Sequence, residues 1–239
     1  MLECGVAEMG IRLLALDPAG FGRLPSHARG CVFWEVDPSA AVRTSEFDKE
    51  AWTSGLLLEW GTCAQLAESG PNVVRTSGAG SAPDNWRTVV VGTAFYAPPP
   101  RVPRAAHFPT SPVSADAVLL TSLRADNGFR EARALLLDAV VADLVQRGVR
   151  ALEAFGIRGH AATDPREDIC GECMIDADFL ADSGFELVAP HHRFPRYRLV
   201  LDEGLGWKSA VEGALERLVV EAALKIAVEP DLTMAPVGG

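Results

Sequence analysis

Three groups of residues in this 239-residue chain have the types and spacing to do chemistry. The first is the stretch 124–133, which carries Arg124, Asn127, Gly128, Arg130 and Arg133 between an apolar run and a helical pattern. Guanidinium groups beside a helix start, where unpaired N–H groups and the dipole attract negative charge, make an anion site. The blander reading is that these arginines simply solvate the helix start. The second is Glu153, set in Ala151-Leu-Glu-Ala-Phe155. A carboxyl among apolar neighbours has a raised pKa and can accept a proton near neutral pH. Strand alternation equally allows Glu153 an outward or structurally paired position. The third is Cys170-Gly-Glu-Cys173. A CxxC supplies two of the four ligands of a closed zinc site. Cys31, Cys63, His160, His191 and His192 are the further donors that could complete it. The reading is of reduced thiols and no metal ligands, with a redox pair and zinc left open.

The elements that must position these groups run from Asp116 to Phe155. DAVLLTSL reads as a buried strand. Asp126-Asn127-Gly128 opens a helix whose apolar positions are Ala132, Leu136, Ala139, Val140 and Leu144. Gly148 sits at its C-terminus and Val149–Phe155 is a second strand. Before this unit, GIRLLAL (10–16) is a strand, Phe21–Arg29 a short helix, and Thr44 or Ser45 caps a helix to about Trp60. That helix presents Phe47, Ala51, Trp52, Leu56 and Leu58 as its buried side. Cys63–Ala67 and Thr88–Tyr96 are strands around a Ser/Gly/Pro-rich loop, Glu68–Trp86. Pro98–Ser114 is a stiff proline-rich excursion that serves as a connector or a rim. After a polar loop, 156–172, come a helix at Asp176–Ser183 and strands at Gly184–Val188 and Tyr197–Leu201. Residues 1–9 form a tail, 10–202 the domain, and 203–239 an amphipathic helix (about Trp207–Val228) and tail.

Composition limits the function classes. With 48% hydrophobic and 23% charged residues the chain is an ordinary globular protein. A net charge of −10 argues against nucleic acid as partner. No apolar run reaches the length of a membrane span. Five cysteines without an export signal point to a reducing cytoplasm.

The order strand, two helices, two or three strands, strand–helix–strand, helix, two strands resembles the GNAT N-acetyltransferases. That family moves an acetyl group from acetyl-coenzyme A to an amine. The resemblance is strongest to actinobacterial-type members sharing CVFWE, EAW…LLEWG, APP…FPTSPVS, CGEC and the ending FLADSGFELVAPHHRFPRYRLVL. It implies an α/β fold with a mixed, mostly antiparallel sheet flanked by helices, and acetyl-CoA as acyl donor. In the family an Arg/Gln-x-x-Gly-x-Gly/Ala loop holds the cofactor's pyrophosphate. Aligned on the helix, Asn127 falls at the Arg/Gln, Arg130 at the first glycine and Ala132 at the Gly/Ala. Aligned on the strand, Arg130 is the arginine, followed by Arg133 and Leu135. The implied cofactor residues are Leu120, Leu123, Arg124, Asn127, Gly128, Arg130, Ala132 and Arg133. Glu35 and Glu59 lie where such a fold builds its acceptor pocket and join Glu153 as candidate bases. The family's usual tyrosine is replaced by Leu180, and its frequent asparagine by Cys173, whose thiol is a candidate acid. The expected activity is acetyl transfer from acetyl-CoA to an unidentified amine by direct attack, with a homodimer left open. The alternative is a catalytically degenerate binding or metal/redox-sensing module.

Overall fold

The structure, a computed structural model, describes residues 9–39, 44–71, 88–159 and 169–201. The expected C-terminal helix, most of the Ser/Gly-rich loop and His160 lie outside them. The elements are β1 (Met9–Ala15), α1 (Ser26–Gly30), α2 (Glu46–Glu59), β2 (Ala64–Pro71), β3 (Val89–Ala97), β4 (Ala117–Ala125) and α3 (Ala132–Gln146). They continue as β5 (Ala151–Ile157), β6 (Ile175–Asp176), α4 (Ala177–Asp182), β7 (Glu186–Ala189) and β8 (Arg196–Val200). The fold is mixed α/β. One sheet runs β1-β2-β3-β4-β5-β8-β7, antiparallel throughout except for β4 beside β5, and β6 adds to β5 in parallel. This is the element order that the resemblance implied. Among the described residues no helix is long and apolar enough to cross a membrane.

Helices cover both faces of the sheet. On one, Leu136, Val140 and Leu144 of α3 and Leu180 of α4 bury against Leu120, Leu123 and Leu152. Leu180, standing at the family's tyrosine position, has no exposed surface. On the other face Trp34 stacks on Phe108 and Phe155, with Leu56, Leu119 and Cys63 beside them. The proline-rich stretch caps this face as two short 3-10 helices, Pro99–Arg101 and Pro103–His107. With Phe108, Ile169 and Phe194 it walls a cavity of about 350 Å³.

Three expectations change. The helix expected at Phe21–Arg29 is a 3-10 turn, Pro18–Arg23, followed by α1. β2 continues through Pro71, so the loop starts later than Glu68. The buried side of α2 is Lys49, Thr53 and Leu56, whereas Phe47 is 79% and Leu58 88% exposed. The helix turns its one lysine inward because Glu35 waits there. Its start is as read: the Ser45 side chain accepts from the Asp48 N–H at 3.1 Å.

Candidate functional site

β4 and β5 pair only where Ala117–Leu119 meets Ala151–Glu153. Beyond those rungs the strands part. Where they separate, β4 carries a bulge: Phe95 faces Ser122 and Tyr96 faces Leu120, which leaves Thr121 as the extra residue. A bulge frees backbone groups from the ladder. The Thr121 hydroxyl donates to the Phe95 carbonyl at 3.0 Å and holds the irregularity in place. The parting opens a cleft of about 510 Å³. Leu123, Arg124 and Arg133 line one side, Ile157 the floor, and Met174 and Asp176 the other side. Its size suits a small organic ligand. β6 forms the far wall by pairing with Gly156 and Ile157.

At the mouth of the cleft, α3 begins later than the sequence suggests. Phe129 N–H donates to Asp126 (2.8 Å), Ala132 to Phe129 (2.9 Å) and Arg133 to Arg130 (3.2 Å). These successive turns wind the chain into the helix, and Glu131, the cap, makes no capping hydrogen bond with its side chain. Asn127, Gly128 and Arg130 are exposed, so the arginine at the glycine position does not fill the cleft. Leu120 and Ala132 bury their side chains in the core, which leaves only their backbone for a ligand. Arg124 pairs with Glu172. Arg133 lies 4.0 Å over the Phe179 ring, and its Nε is buried without a hydrogen-bond partner. Desolvation lowers the pKa of this guanidinium. Its Nε is a buried donor at the cleft with capacity to spare.

The candidate bases separate. Glu153 is fully buried, at the last rung joining β5 to β4. It accepts from Arg196, from Arg198 at 3.1 Å and from the Ser114 N–H at 3.3 Å. Burial alone would raise its pKa, but hydrogen bonding by Ser114 and Arg196 outweighs that and holds it below the ordinary carboxylate value. The expected raised pKa is therefore corrected, because strand alternation could not reveal the arginines of β8. Glu59 is exposed and pairs with Arg101. Glu35 forms an ion pair with Lys49, their side chains 3% and 6% exposed. Lys49 Nζ sits 4.3 Å over the Phe95 ring. The pair borders a cavity of about 10 Å³ together with Thr93, Ser122 and Cys173. Such a space holds about one water.

Cys173 belongs to a cluster that sequence reasoning half assembled. Its Sγ lies 3.4 Å from Cys31 Sγ and 3.3 Å from His27 Nε2. Cys170 Sγ lies 3.8 Å from Cys31 Sγ and 3.6 Å from His27 Nε2. All four donor atoms fall within 4.8 Å of one another. Hydrogen bonding from Cys170 and Cys173 pulls the Cys31 thiol far down, and hydrogen bonds to Cys170 and Cys31 push Cys173 far up. This direction runs against the role of acid that the sequence offered for Cys173. His27, bonded to Cys170 and Cys31, is raised to about 10. Cys63, an expected donor, stands apart in the core, where burial raises its pKa to about 12. His191 stacks on Phe194 with the His192 ring tilted against it, outside the cluster. His27 went unread, although His27-x-x-x-Cys31 puts two donors one helical turn apart.

No protein-family model matches the sequence, and no curated protein does. Solved structures do resemble the fold. An N-acetyltransferase from Staphylococcus aureus is 11% identical over 81% of this chain and 99% of its own, with a TM-score of 0.46. The PaiA N-acetyltransferase from Thermoplasma acidophilum, in complex with coenzyme A, is 11% identical over 80% of this chain and 99% of its own, at 0.41. The ribosomal-protein-S18-alanine N-acetyltransferase from Escherichia coli is 13% identical over 81% and 95%, at 0.39.

Proposed function

We propose that this chain is an acyl-CoA-dependent N-acyltransferase of GNAT type, with the cleft between β4 and β5 as its acyl-CoA site. The observation that carries the reading is the parting of two parallel strands at a bulge, opening a cavity toward the start of α3. The bulge at Thr121 offers backbone N–H to the thioester oxygen, where negative charge develops as an amine attacks the carbonyl carbon. Arg133 and the dipole end of α3 take the phosphates. Lost backbone donors in the wound turn are thereby replaced by a side chain. Glu35, paired with Lys49, takes the acceptor's proton through the small cavity, and the departing thiolate of coenzyme A is protonated from solvent. Glu153 holds the β4–β5 junction together. The acceptor is an amine.

One observation favours the second reading, a binding module without catalysis. The N–H groups of Phe129, Ala132 and Arg133 are already bonded within the turns and cannot all turn to a pyrophosphate. Thermal unfolding with acetyl-CoA and with CoA separates the two. Ligand at a hundred times its dissociation constant adds about 2.7 kcal/mol, a shift of a few degrees. The expected result is a clear shift that Arg133→Ala removes, and an acyltransferase activity that Glu35→Gln lowers without touching the shift. No shift at millimolar cofactor overturns the enzyme reading and leaves the binding module.

A further inference from the structure

We infer that His27, Cys31, Cys170 and Cys173 are the four ligands of a structural zinc ion that fastens α1 to the wall of the cleft. Three thiolates and an imidazole around zinc, at about 2.3 Å for sulfur and 2.0–2.1 Å for nitrogen, require tetrahedral edges of about 3.8 Å between sulfurs and about 3.6 Å between sulfur and nitrogen. Four of the six observed edges are 3.4 and 3.8 Å between sulfurs and 3.3 and 3.6 Å from sulfur to nitrogen, and all six lie within 4.8 Å. Disulfide formation does not account for this arrangement. It would join two sulfurs at about 2.05 Å and leave the third thiol and the imidazole without a purpose.

The local structure prepares the set. α1 places His27 and its C-cap residue Cys31 one turn apart, and the Cys31 N–H donates to the His27 carbonyl at 2.8 Å. The 3-10 turn Gly171–Cys173 folds the CxxC so that both sulfurs face the same point, with the Cys173 N–H bonded to Cys170 O at 3.0 Å. Outer contacts orient the donors. The Trp34 indole donates to the Cys173 carbonyl at 3.3 Å. The second nitrogen of His27, Nδ1, faces the Glu172 carboxylate at 3.6 Å, the relation that fixes a ligating imidazole's tautomer. Cys31 and Cys173 are buried and His27 and Cys170 half-buried, so a filled site leaves no open coordination position for substrate. Thiolate-rich, four-coordinate sites select zinc over hard cations. Binding releases to solvent the protons that the sulfurs and the imidazole hold, and leaves three thiolates and a neutral imidazole around the ion, a complex of charge −1 beside the guanidinium of Arg124.

The partners are 139 to 146 residues apart in sequence. The ion would therefore close the chain across the molecule. Met174 follows Cys173 directly and lines the cleft, and Ile175 and Asp176 form β6. Zinc thus sets the position of the wall that β6 builds.

The test uses the full chain purified under reducing conditions without added metal. Elemental analysis is expected to find one zinc per chain, removed by the double variant Cys170→Ser/Cys173→Ser and kept by Cys63→Ser. Since the double variant can fail to fold, wild-type protein is also stripped and reloaded with cobalt(II). The expected spectrum has the intense visible bands of tetrahedral cobalt together with thiolate charge transfer. Protein that is metal-free as purified and takes up neither ion stoichiometrically overturns the proposal. So does iron or copper in place of zinc, or a mass two hydrogens lighter showing a disulfide within the cluster. None of these readouts depends on coenzyme A, so the site stands or falls separately from the acyltransferase reading.

Discussion

Glu153 is held by Arg196, Arg198 and a backbone N–H with no surface of its own, and this decides what its replacement does. Glu153→Gln leaves two guanidinium groups facing a neutral amide. Breaking a buried pair of this kind costs about 3–5 kcal/mol, an effect that urea unfolding will resolve. The pH dependence follows from the direction of the shift. The folded-state pKa lies below the unfolded one, so the stabilisation is complete above the ordinary carboxylate range and disappears as pH falls through the folded value. Wild type should lose more stability between neutral pH and strong acid than the variant, and the two curves should converge. The sequence showed Glu153 among apolar neighbours, but the arginines that pair with it lie 43 and 45 residues further on. The meeting of His27 and Cys31 with the CxxC was hidden for the same reason, since the two halves lie 139 to 146 residues apart. Side chains that act together at such separations leave no local pattern to read.

Among the elements, helices and strands with clear punctuation were legible. Ser45 capped α2, Gly148 ended α3 with φ at +70°, and the alternation of strand and helix through 117–157 is as the periodicity indicates. The inner face of α2 was not legible, because an apolar count favours Phe47 and Leu58 over a lysine whose partner lies on another segment. Strand spacing is tested at Gly92 in β3. A Cβ there would lie 2.9 Å from the Arg124 carbonyl oxygen and 2.9 Å from Leu136 Cδ1. The first contact is backbone of β4 and cannot swing aside. Gly92→Ala should therefore destabilise by roughly 1–3 kcal/mol, lower the melting temperature, and weaken any ligand bound along the same stretch of β4.

Across the whole molecule, a net charge of −10 biases which small molecules approach. If the acyltransferase reading holds, cationic amines should lose apparent affinity when salt rises to about 1 M, where the Debye length is about 3 Å, while a neutral amine's KM stays nearly constant. Steady-state kinetics on a matched pair of acceptors measures this. The order of elements and a mixed, mostly antiparallel sheet flanked by helices were legible at this scale, the sheet through the resemblance; the strand order within it was not. The short β6, the four-donor cluster and the irregularity in β4 were not, since each arises where distant segments meet. The last of these has a consequence for inheritance and design. Up to Leu119 and Leu120, odd positions of β4 face the Trp34 layer and even positions face α3; after Thr121 the parity is reversed, with Leu123 toward α3 and Ser122 and Arg124 toward the Glu35 cavity. Thr121 is thus a phase shift written in one residue. A strand lacking it would alternate regularly and keep every later residue on its present face, whereas a strand that kept it and lost the bulge would exchange inside for outside over the whole half of β4 that lines the cleft.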